Sequence, residues 1–347
     1  MSTDPTDDAL DTVLEEGRRL ATAAGGAQAG LWESVADSTQ GGKRFRPALV
    51  TAAHQALGGR CPAAAARVGA AVEMLHTAFV IHDDVIDGDD VRRGRPNAIG
   101  TFTAQARRAD AAADDAVAFG RAAGILAGDL ALAAAIRAVA RCGASTTVVD
   151  RLLDLFDVAL HTTASGELAD VRLALRPGSA SLGESLAMEE QKTSAYSFAL
   201  PLQCGAVLAE AGDDTVARLG EAGRMLGIAF QLLDDLIGVF GDPARTGKST
   251  TNDLRTRKQT PLLVHATSTP QAGDIWTYVG RDLAEDELIE VRHLLTASGS
   301  RRFVEELVEV NLAEARQALE DLGIAADLLP VVVAGFPVLG STMEAVA

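Results

Sequence analysis

The sequence contains few aromatic residues, few cysteines and too little positive charge to balance its acidic residues. Aromatic residues make up only 4% of the 347 residues, although hydrophobic residues reach 48% and alanine and leucine are abundant. That composition is typical of packed helices rather than sheets. The net charge of −17 argues against general binding to nucleic acid or to anionic membranes.

The three cysteines and the lack of targeting segments bear on where the protein acts. Cys61, Cys142 and Cys204 are far apart, odd in number and outside the spacings of zinc and redox motifs. We therefore interpret them as reduced core residues of a cytoplasmic protein. The first residues lack the charged and apolar regions of a secretory signal, and we find no apolar run long enough to span a bilayer. We expect no integral membrane segment.

Helical periodicity runs through nearly the whole chain, and no stretch alternates for long enough to predict a sheet. The sequence therefore predicts an all-α protein in which residues 1–347 form a single domain, with residues 1–5 frayed. The main predicted helices cover about residues 6–24, 62–87, 103–141 with a break near Gly128, 146–175, 181–211 with a kink at Pro201, 213–237, and two within 283–322.

The most informative stretch is the end of the predicted helix 62–87, which carries Asp83, Asp84 and Asp87. Asp83 and Asp87 lie one turn apart on the same face, about 6 Å along the axis. Carboxylates so close repel one another unless a cation joins them. Oxygen ligands without histidine or cysteine indicate a hard divalent ion such as Mg²⁺. The plainer alternative is a solvated acidic helix end.

Two further features favour a diphosphate site over that plainer alternative. A second predicted helix also ends in adjacent aspartates, Asp234 and Asp235, so that a shared diphosphate could be clamped from two sides. The turn at residues 41–47, Gly-Gly-Lys-Arg-Phe-Arg-Pro, carries three cations just before another predicted helix. Such a turn suits phosphate binding near a helix N-terminus, although a basic turn alone is usually solvated surface.

Together these motifs resemble those of the trans-isoprenyl diphosphate synthases, also called polyprenyl synthetases, over nearly the whole chain. Each motif alone is weak, but their order and separations are highly specific. The matching residues are Gly-Gly-Lys-Arg-Phe-Arg-Pro at 41–47, His76, Asp83-Asp84-x-x-Asp87 with Arg92 and Arg93, Lys192-Thr193, Gln231-x-x-Asp234-Asp235, and Lys248.

The resemblance implies a bundle of about ten or more helices around a central active-site cavity, a homodimer and a requirement for Mg²⁺. It also implies the site residues. Mg²⁺ would be bound by Asp83, Asp84, Asp87, Asp234 and Asp235; the allylic diphosphate by Arg92, Lys192 and Lys248, with Lys258 as a further contact; isopentenyl diphosphate by Lys43, Arg46, His76 and Arg93; and the developing allylic cation would be faced by Thr193 and Gln231.

The implied reaction is a condensation of isopentenyl diphosphate with dimethylallyl, geranyl or farnesyl diphosphate, by ionisation, condensation and proton loss. Mg²⁺ with lysine and arginine would stabilise the departing diphosphate, and an apolar cavity would keep water from the allylic cation. The growing chain would pass Phe79, Ala78 and Leu75, before Asp83. Because Phe79 is a single aromatic residue close to Asp83, we expect a cavity of medium length and favour geranylgeranyl diphosphate as product, with farnesyl or longer diphosphates as the alternative.

The chain departs from the family pattern at three places. Gly238 stands where many members have a third aspartate in the second acidic motif, which would weaken one metal site without abolishing it. Glu167 stands where many members have glutamine. The last residues, Glu344-Ala345-Val346-Ala347, lack the basic tail that closes over isopentenyl diphosphate in some members.

Four other interpretations fit these residues less well. A calcium loop at residues 83–94 fails because Val85 and Gly94 occupy ligand positions. A nucleotide-binding loop at 242–249 fails because Asp242 replaces a required glycine and a helix precedes it. A terpene cyclase would have no use for a second diphosphate site. An inactive partner subunit would not need both acidic motifs.

Overall fold

A computed structural model describes residues 4–25, 29–175, 178–241 and 251–335. The described residues form two compact units. The first unit comprises the described parts of Met1–Phe156 and Cys204–Gly212, and the second comprises those of Asp157–Gln203 and Asp213–Ala347. The expectation that the whole chain is one domain stays a prediction.

Helices account for nearly all the regular structure of the described residues, so the predicted all-α class is confirmed. In chain order the elements are α1 (Pro5–Ala23), α2 (Ala29–Thr39), α3 (Phe45–Ala56), α4 (Pro62–Asp87), β1 (Val91–Arg92), β2 (Arg95–Pro96), α5 (Ala98–Arg108), α6 (Ala113–Ala140), α7 (Thr146–Ala174), α8 (Leu182–Glu189), a π-helix (Glu190–Ala199), α9 (Leu200–Leu208), α10 (Asp213–Phe240), α11 (Asn252–Thr256), α12 (Pro261–Ala266), α13 (Ala272–Trp276), α14 (Glu285–Ala297), α15 (Ser300–Asp321) and α16 (Ala325–Gly335).

A stripe of small residues lets α6 pack closely on α4 and α5 in the first unit. Gly120, Gly124 and Gly128 follow one another at intervals of four, on one face of α6. A Cβ atom on Gly124 would lie 2.6 Å from Val85 Cγ2, and one on Gly128 would collide with the His82 ring. The stripe therefore brings the acidic end of α4 against α6.

The predicted break near Gly128 is wrong, because α6 continues without interruption from Ala113 to Ala140. Gly128 instead provides room for His82, whose Nε2 lies 3.4 Å from the Ile125 carbonyl oxygen. The interruption in the predicted helix 103–141 falls earlier, between α5 and α6. The first helix begins at Pro5, one residue before its predicted start, and Asp4 caps it by accepting from the Thr6 backbone N–H.

A two-residue hairpin follows α4 where the sequence predicted only a linker. Val91 pairs with Pro96 and Arg92 with Arg95 in an antiparallel ladder. Arg93 and Gly94 form the turn, with φ values of 54° and 72°. Two successive positive φ angles are those of a type I′ turn, which favours short hairpins. The hairpin directs Arg92 back towards the end of α4.

In the second unit, another glycine stripe brings α10 close to the π-helix. A Cβ atom on Gly223 or Gly227 would lie only 2.5 Å from the Cα atom of Ala199 or Ser194, respectively. The expected irregularity near Pro201 takes the form of this π-helix, which precedes the proline within the helical segment 182–208. Wide helical turns of this kind are frequent at functional sites.

Two helices, α4 and α6, are long and apolar enough to cross a membrane by length and composition, contrary to the expectation that no such run exists. In α4, 78% of the most apolar window is buried within the protein, as in the core helix of a folded domain. The corresponding share for α6 is 39%. One or two such helices are weak evidence, and the absence of an integral membrane segment stays a prediction.

The cysteines follow the expectation in two cases of three. All three are free thiols, and Cys142 and Cys204 are buried. Cys61 is exposed because it precedes the first turn of α4, so its assignment to the core is wrong.

Replacing Gly227 with alanine should destabilise the protein, although a glycine-to-alanine change inside a helix ordinarily stabilises by about 1 kcal/mol. The new Cβ atom would meet the Ser194 backbone, which cannot move away like a flexible side chain. We expect a loss of roughly 1–3 kcal/mol in the free energy of unfolding, measured by chemical denaturation. Gly183→Ala in α8 is the matched control, because nothing lies within 4 Å of its Cβ position. Equal stabilisation of both variants would contradict the close packing.

Candidate active site

The first unit presents three aspartates at the end of α4, and they differ in exposure. Gly88, with a φ of 74°, ends the helix directly after Asp87. Asp84 is buried at 3% exposure, Asp83 is half-buried and Asp87 is exposed. A cation arriving from solvent therefore meets Asp87 and Asp83 before Asp84.

Arg92 ties the hairpin to two of these aspartates. Its Nε donates to Asp84 Oδ1 at 2.8 Å, and its Nη2 donates to Asp83 Oδ2 at 3.1 Å. Burial raises the pKa of Asp84, and the hydrogen bond and charge of Arg92 oppose that rise. Arg92 thus offsets the repulsion between neighbouring carboxylates at the site predicted to bind the allylic diphosphate.

The residues expected to hold isopentenyl diphosphate come together in the same unit. Burial lowers the pKa of His76 well below its ordinary value, and the charges of Arg46, Arg92, Arg93 and Arg44 lower it further. This shift favours the neutral imidazole of His76 at neutral pH. Arg93 Nη1 donates to the Gln40 carbonyl at 3.1 Å, which joins the hairpin to the glycine-rich turn. Lys43 lies exposed on that turn.

Two residues that sequence reasoning left unassigned hold the glycine-rich turn in place. Arg44 has a φ of 52°, and its Nη1 donates to Glu73 Oε1 at 2.7 Å and to the Thr39 carbonyl at 2.6 Å. Glu73 is 5% exposed within α4. The signal in the sequence is an acidic residue in an apolar helical run, three positions before His76.

Lys192 begins the second group of predicted site residues, in the second unit. Its Nζ lies 3.0 Å from Glu167 Oε2 and 2.7 Å from Asp170 Oδ2. Gly166 permits this approach, because a Cβ atom there would collide with the backbone of Lys192. Glu167, which departs from the family pattern, is thus a direct partner of the lysine.

Thr193, Gln231 and Asp235 form a continuous chain of hydrogen bonds. The Thr193 hydroxyl donates to Gln231 Oε1 at 3.0 Å, and Gln231 Nε2 donates to Asp235 Oδ1 at 3.1 Å. The close contact of α10 with the π-helix makes these bonds possible. Asp234, by contrast, is half-buried and belongs to another face of α10.

Glu189 is a buried acid that the sequence analysis missed. It is 3% exposed, and Asp235 beside it is 5% exposed. Burial and the neighbouring Asp235 raise the pKa of Glu189 well above its ordinary value, and burial raises the pKa of Asp235 to about 7. Glu189 Oε2 and Asp235 Oδ2 are both buried and accept no hydrogen bond from a fixed donor among the described residues, but the two carboxyl groups can bond to each other when one is protonated.

Lys258 and Asp253 complete the acidic end of α10. Lys258 Nζ lies 3.8 Å from Asp253 Oδ1. Loss of hydration would lower the pKa of Lys258, but Asp253 and Asp170 outweigh it, so the pKa is raised. The predicted contact Lys248 and the C-terminal residues 344–347 lie outside the described residues.

The acidic groups present oxygen donors only, which suits a hard divalent cation. Within the described ranges, no three histidine, cysteine or acidic side chains converge to form a complete metal cage. That arrangement fits Mg²⁺, because this ion usually takes one or two carboxylates and completes its shell with water and substrate phosphates. The unpartnered, buried Asp235 Oδ2 also fits a cation or proton nearby.

The residues predicted to set chain length lie on α4 before Asp83. Leu75 and Ala78 are fully buried, and Phe79 is half-buried. Their role stays a prediction.

Acidic helix ends accompanied by lysine or arginine in an all-α protein are what the resemblance to enzymes that act on prenyl diphosphates leads us to expect. The polyprenyl synthetase family model matches residues 30–293. The chain therefore belongs to the polyprenyl synthetase family and is a trans-isoprenyl diphosphate synthase.

Relatives of known name agree with that assignment. A geranylfarnesyl diphosphate synthase of Aeropyrum pernix is 33% identical over 80% of this chain and 83% of its own length. A geranylgeranyl diphosphate synthase of Mycobacterium tuberculosis is 35% identical over 74% of this chain and 68% of its own. The crystal structure of a Corynebacterium glutamicum geranylgeranyl pyrophosphate synthase, complexed with isoprenyl diphosphate and magnesium, has a TM-score of 0.84 at 29% identity, covering 95% of this chain and 96% of its own.

The buried acid pair predicts how stability depends on pH without divalent cations. Because both pKa values are raised, the folded protein binds more protons than the unfolded chain between about pH 4 and about pH 7. Stability should therefore fall as pH rises through that range. Glu189→Gln should flatten the fall and raise Tm at high pH by roughly 3 °C, measured by thermal denaturation in a chelating buffer.

The exposed Glu314→Gln is the control for this measurement, because it removes one acidic charge from the same unit without touching the pair. It should leave the pH profile unchanged. A Glu189→Gln profile as steep as that of the wild type would contradict the assignment of the pH dependence to the pair.

Proposed function

We propose that this synthase condenses isopentenyl diphosphate with an allylic diphosphate in a Mg²⁺-dependent reaction. The observation that carries the proposal is the grouping of cations with aspartates in both units. In the first unit, Arg92 pairs with Asp83 and Asp84. The charges of Arg46, Arg92 and Arg93 together lower the pKa of His76. In the second, Lys192 and Lys258 accompany Asp170 and Asp253. Two diphosphates require such paired positive sites.

The acidic residues would hold the metal. Asp83, Asp84 and Asp87 in the first unit and Asp234 and Asp235 in the second provide the oxygen donors that Mg²⁺ prefers. When bound with a diphosphate, Mg²⁺ supplies charge neutralisation and Lewis acidity to the departing group. The chain's own cations, Arg92, Lys192 and Lys258, would add to that neutralisation, together with Lys248.

The remaining residues would position substrates and protect the cation. Lys43, Arg46, His76 and Arg93 would hold isopentenyl diphosphate, with His76 neutral and able to donate one hydrogen bond. The Thr193 hydroxyl, which donates to Gln231 Oε1, and the Gln231 carbonyl oxygen would present negative dipole ends to the allylic cation. No side-chain base is assigned, and the proton would leave with the departed diphosphate.

A terpene cyclase is the second candidate, because it too ionises a prenyl diphosphate at aspartates. It would not use isopentenyl diphosphate, so the basic group around His76 would have no substrate. Incubation of the protein with Mg²⁺, labelled isopentenyl diphosphate and dimethylallyl, geranyl or farnesyl diphosphate separates the two. Incorporation of label supports the condensation, whereas unlabelled hydrocarbon products would support the cyclase.

Geranylgeranyl diphosphate is the product we favour, with farnesyl or longer diphosphates as the alternative. Its support comes from relatives named for products of farnesyl to geranylfarnesyl length and from Phe79 as one bulky residue before Asp83. The same assay sizes the products by chromatography. Longer products from Phe79→Ala would support this residue as the floor of the cavity, and an unchanged length would remove it.

Asp83→Ala and Asp234→Ala should each lower turnover by about 100-fold or more, because each removes a carboxylate needed for charge stabilisation at the departing diphosphate. Steady-state kinetics with geranyl diphosphate would measure the loss, and circular dichroism would check helical content. Asp114→Asn and Asp282→Asn are exposed-acid controls, one in each unit. Retained turnover in both alanine variants would contradict the proposed metal-binding role of these aspartates.

We further propose that the enzyme is a cytoplasmic homodimer, and the three free thiols support a reducing compartment. On α6, Phe119, Ile125 and Leu126 are each about half exposed, which is unusual for large apolar side chains on one helix. A second copy of the chain would cover these apolar side chains. Leu168 on α7, in the second unit, is another large apolar side chain that is exposed, at 71%.

Sedimentation velocity should therefore give a mass near twice 36.0 kDa. Leu126→Glu should shift the protein towards the monomer, because a buried charge would oppose association. Leu20→Glu is the matched control, since Leu20 is equally exposed on α1. A monomeric wild type, or equal effects of the two variants, would contradict the proposed interface.

A further inference from the structure

The second acidic motif lacks a third aspartate because Gly238 stands in its place. Gly238 is buried in α10, one turn after Asp234. A Cβ atom on Gly238 would collide with Asp253 Oδ2 and would lie 3.3 Å from Asp253 Cγ. The carboxylate of Asp253 therefore occupies the space that a side chain at position 238 would need.

Asp253 also belongs electrostatically to the acidic end of α10. Its side chain is 16% exposed, and Lys258 Nζ lies 3.8 Å from Oδ1. The Lys258 backbone N–H donates to the Asp253 carbonyl at 3.0 Å, which fixes the lysine and the aspartate relative to each other.

A separate observation indicates that this end of α10 has capacity for a ligand. Asp235 Oδ2 is buried and accepts no hydrogen bond from a fixed N–H or O–H donor among the described residues, although Oδ1 accepts from Gln231. The carboxyl group of Glu189 can bond to Asp235 only when one of the two is protonated, so a cation could take the place of that proton. Buried carboxylate oxygens normally have a donor or a cation beside them. Lys258 beside Asp253 supplies one positive charge to this acidic group, and a divalent cation would neutralise more of it.

We propose that Asp253 supplies, from α11, the third carboxylate that Gly238 removes from α10, and that it helps to hold the divalent cation bound with the diphosphate. The proposal rests on the proposed function. The proposal also explains why glycine stands at position 238, because any side chain there would displace Asp253. The exchange keeps the number of carboxylates at this end of the helix unchanged.

Mn²⁺ binding in the presence of inorganic diphosphate tests the proposal without turnover, by electron paramagnetic resonance of the free ion. Asp253→Asn should weaken Mn²⁺ binding about tenfold or more, because an amide is a poorer ligand and cannot neutralise the ion. Gly238→Ala should weaken it too, although every carboxylate remains, because the new methyl group displaces Asp253.

The double variant Gly238→Asp/Asp253→Ala moves the carboxylate back to α10 and should recover most of the lost affinity. This recovery guards against misfolding as the cause, and circular dichroism would check each variant. Asp282→Asn is the control, because its side chain is 95% exposed in the same unit. It should bind Mn²⁺ as the wild type does.

The outcomes separate this proposal from the proposed function. If Asp234→Ala weakens Mn²⁺ binding but Asp253→Asn and Gly238→Ala do not, the role of Asp253 is overturned and the prenyltransferase function stands. If the wild type with diphosphate binds no Mn²⁺, the metal-dependent function itself fails. Failure of the double variant to recover affinity, with helical content intact, would also overturn the exchange.

Discussion

Carboxylates crowded at helix ends repel one another, and in each unit the surrounding residues are arranged around that repulsion. Arg92 bonds to two aspartates at the end of α4, and Lys192 lies between Glu167 and Asp170. Asp235 and Glu189 are buried beside each other, so their pKa values are raised, although the charge of Lys258 opposes the rise at Glu189. Cations therefore stabilise these sites. A bound divalent ion would neutralise the carboxylates, and the diphosphate bound with it would neutralise the lysines and arginines.

Close packing by glycine is what holds the charged groups in position. On α6, Gly124 and Gly128 bring the end of α4 into contact through Val85 and His82. On α10, Gly223 and Gly227 allow the π-helix to approach until the Thr193 hydroxyl reaches Gln231. In both units, these glycines lower the helix propensity of the segments that contain them. The close packing that they allow fixes the positions of the functional side chains.

Much of this arrangement was accessible from the sequence because its signals are local. The limits of α4 follow from Pro62 and Gly88, and the aspartates that end α4 and lie near the end of α10 are visible in the chain itself. The grouping of His76 with distant arginines came from the family resemblance rather than from spacing. Glu189, Glu73 and Asp253 were missed because their importance depends on which side chain lies opposite. The Gly128 break was wrong for the same reason, since a glycine that breaks an isolated helix can serve a close contact in a packed one.

The most direct test of the central claim is the thermal stability of the wild type with Mg²⁺, with inorganic diphosphate, and with both. If Mg²⁺ and diphosphate neutralise each other's charge in the bound state, each binds more tightly when the other is present. The rise in Tm with both should then exceed the sum of the separate rises. Asp83→Ala and Asp234→Ala should each abolish that excess. A strictly additive effect in the wild type, or an excess unchanged in both variants, would contradict an account in which these carboxylates hold a cation together with a diphosphate.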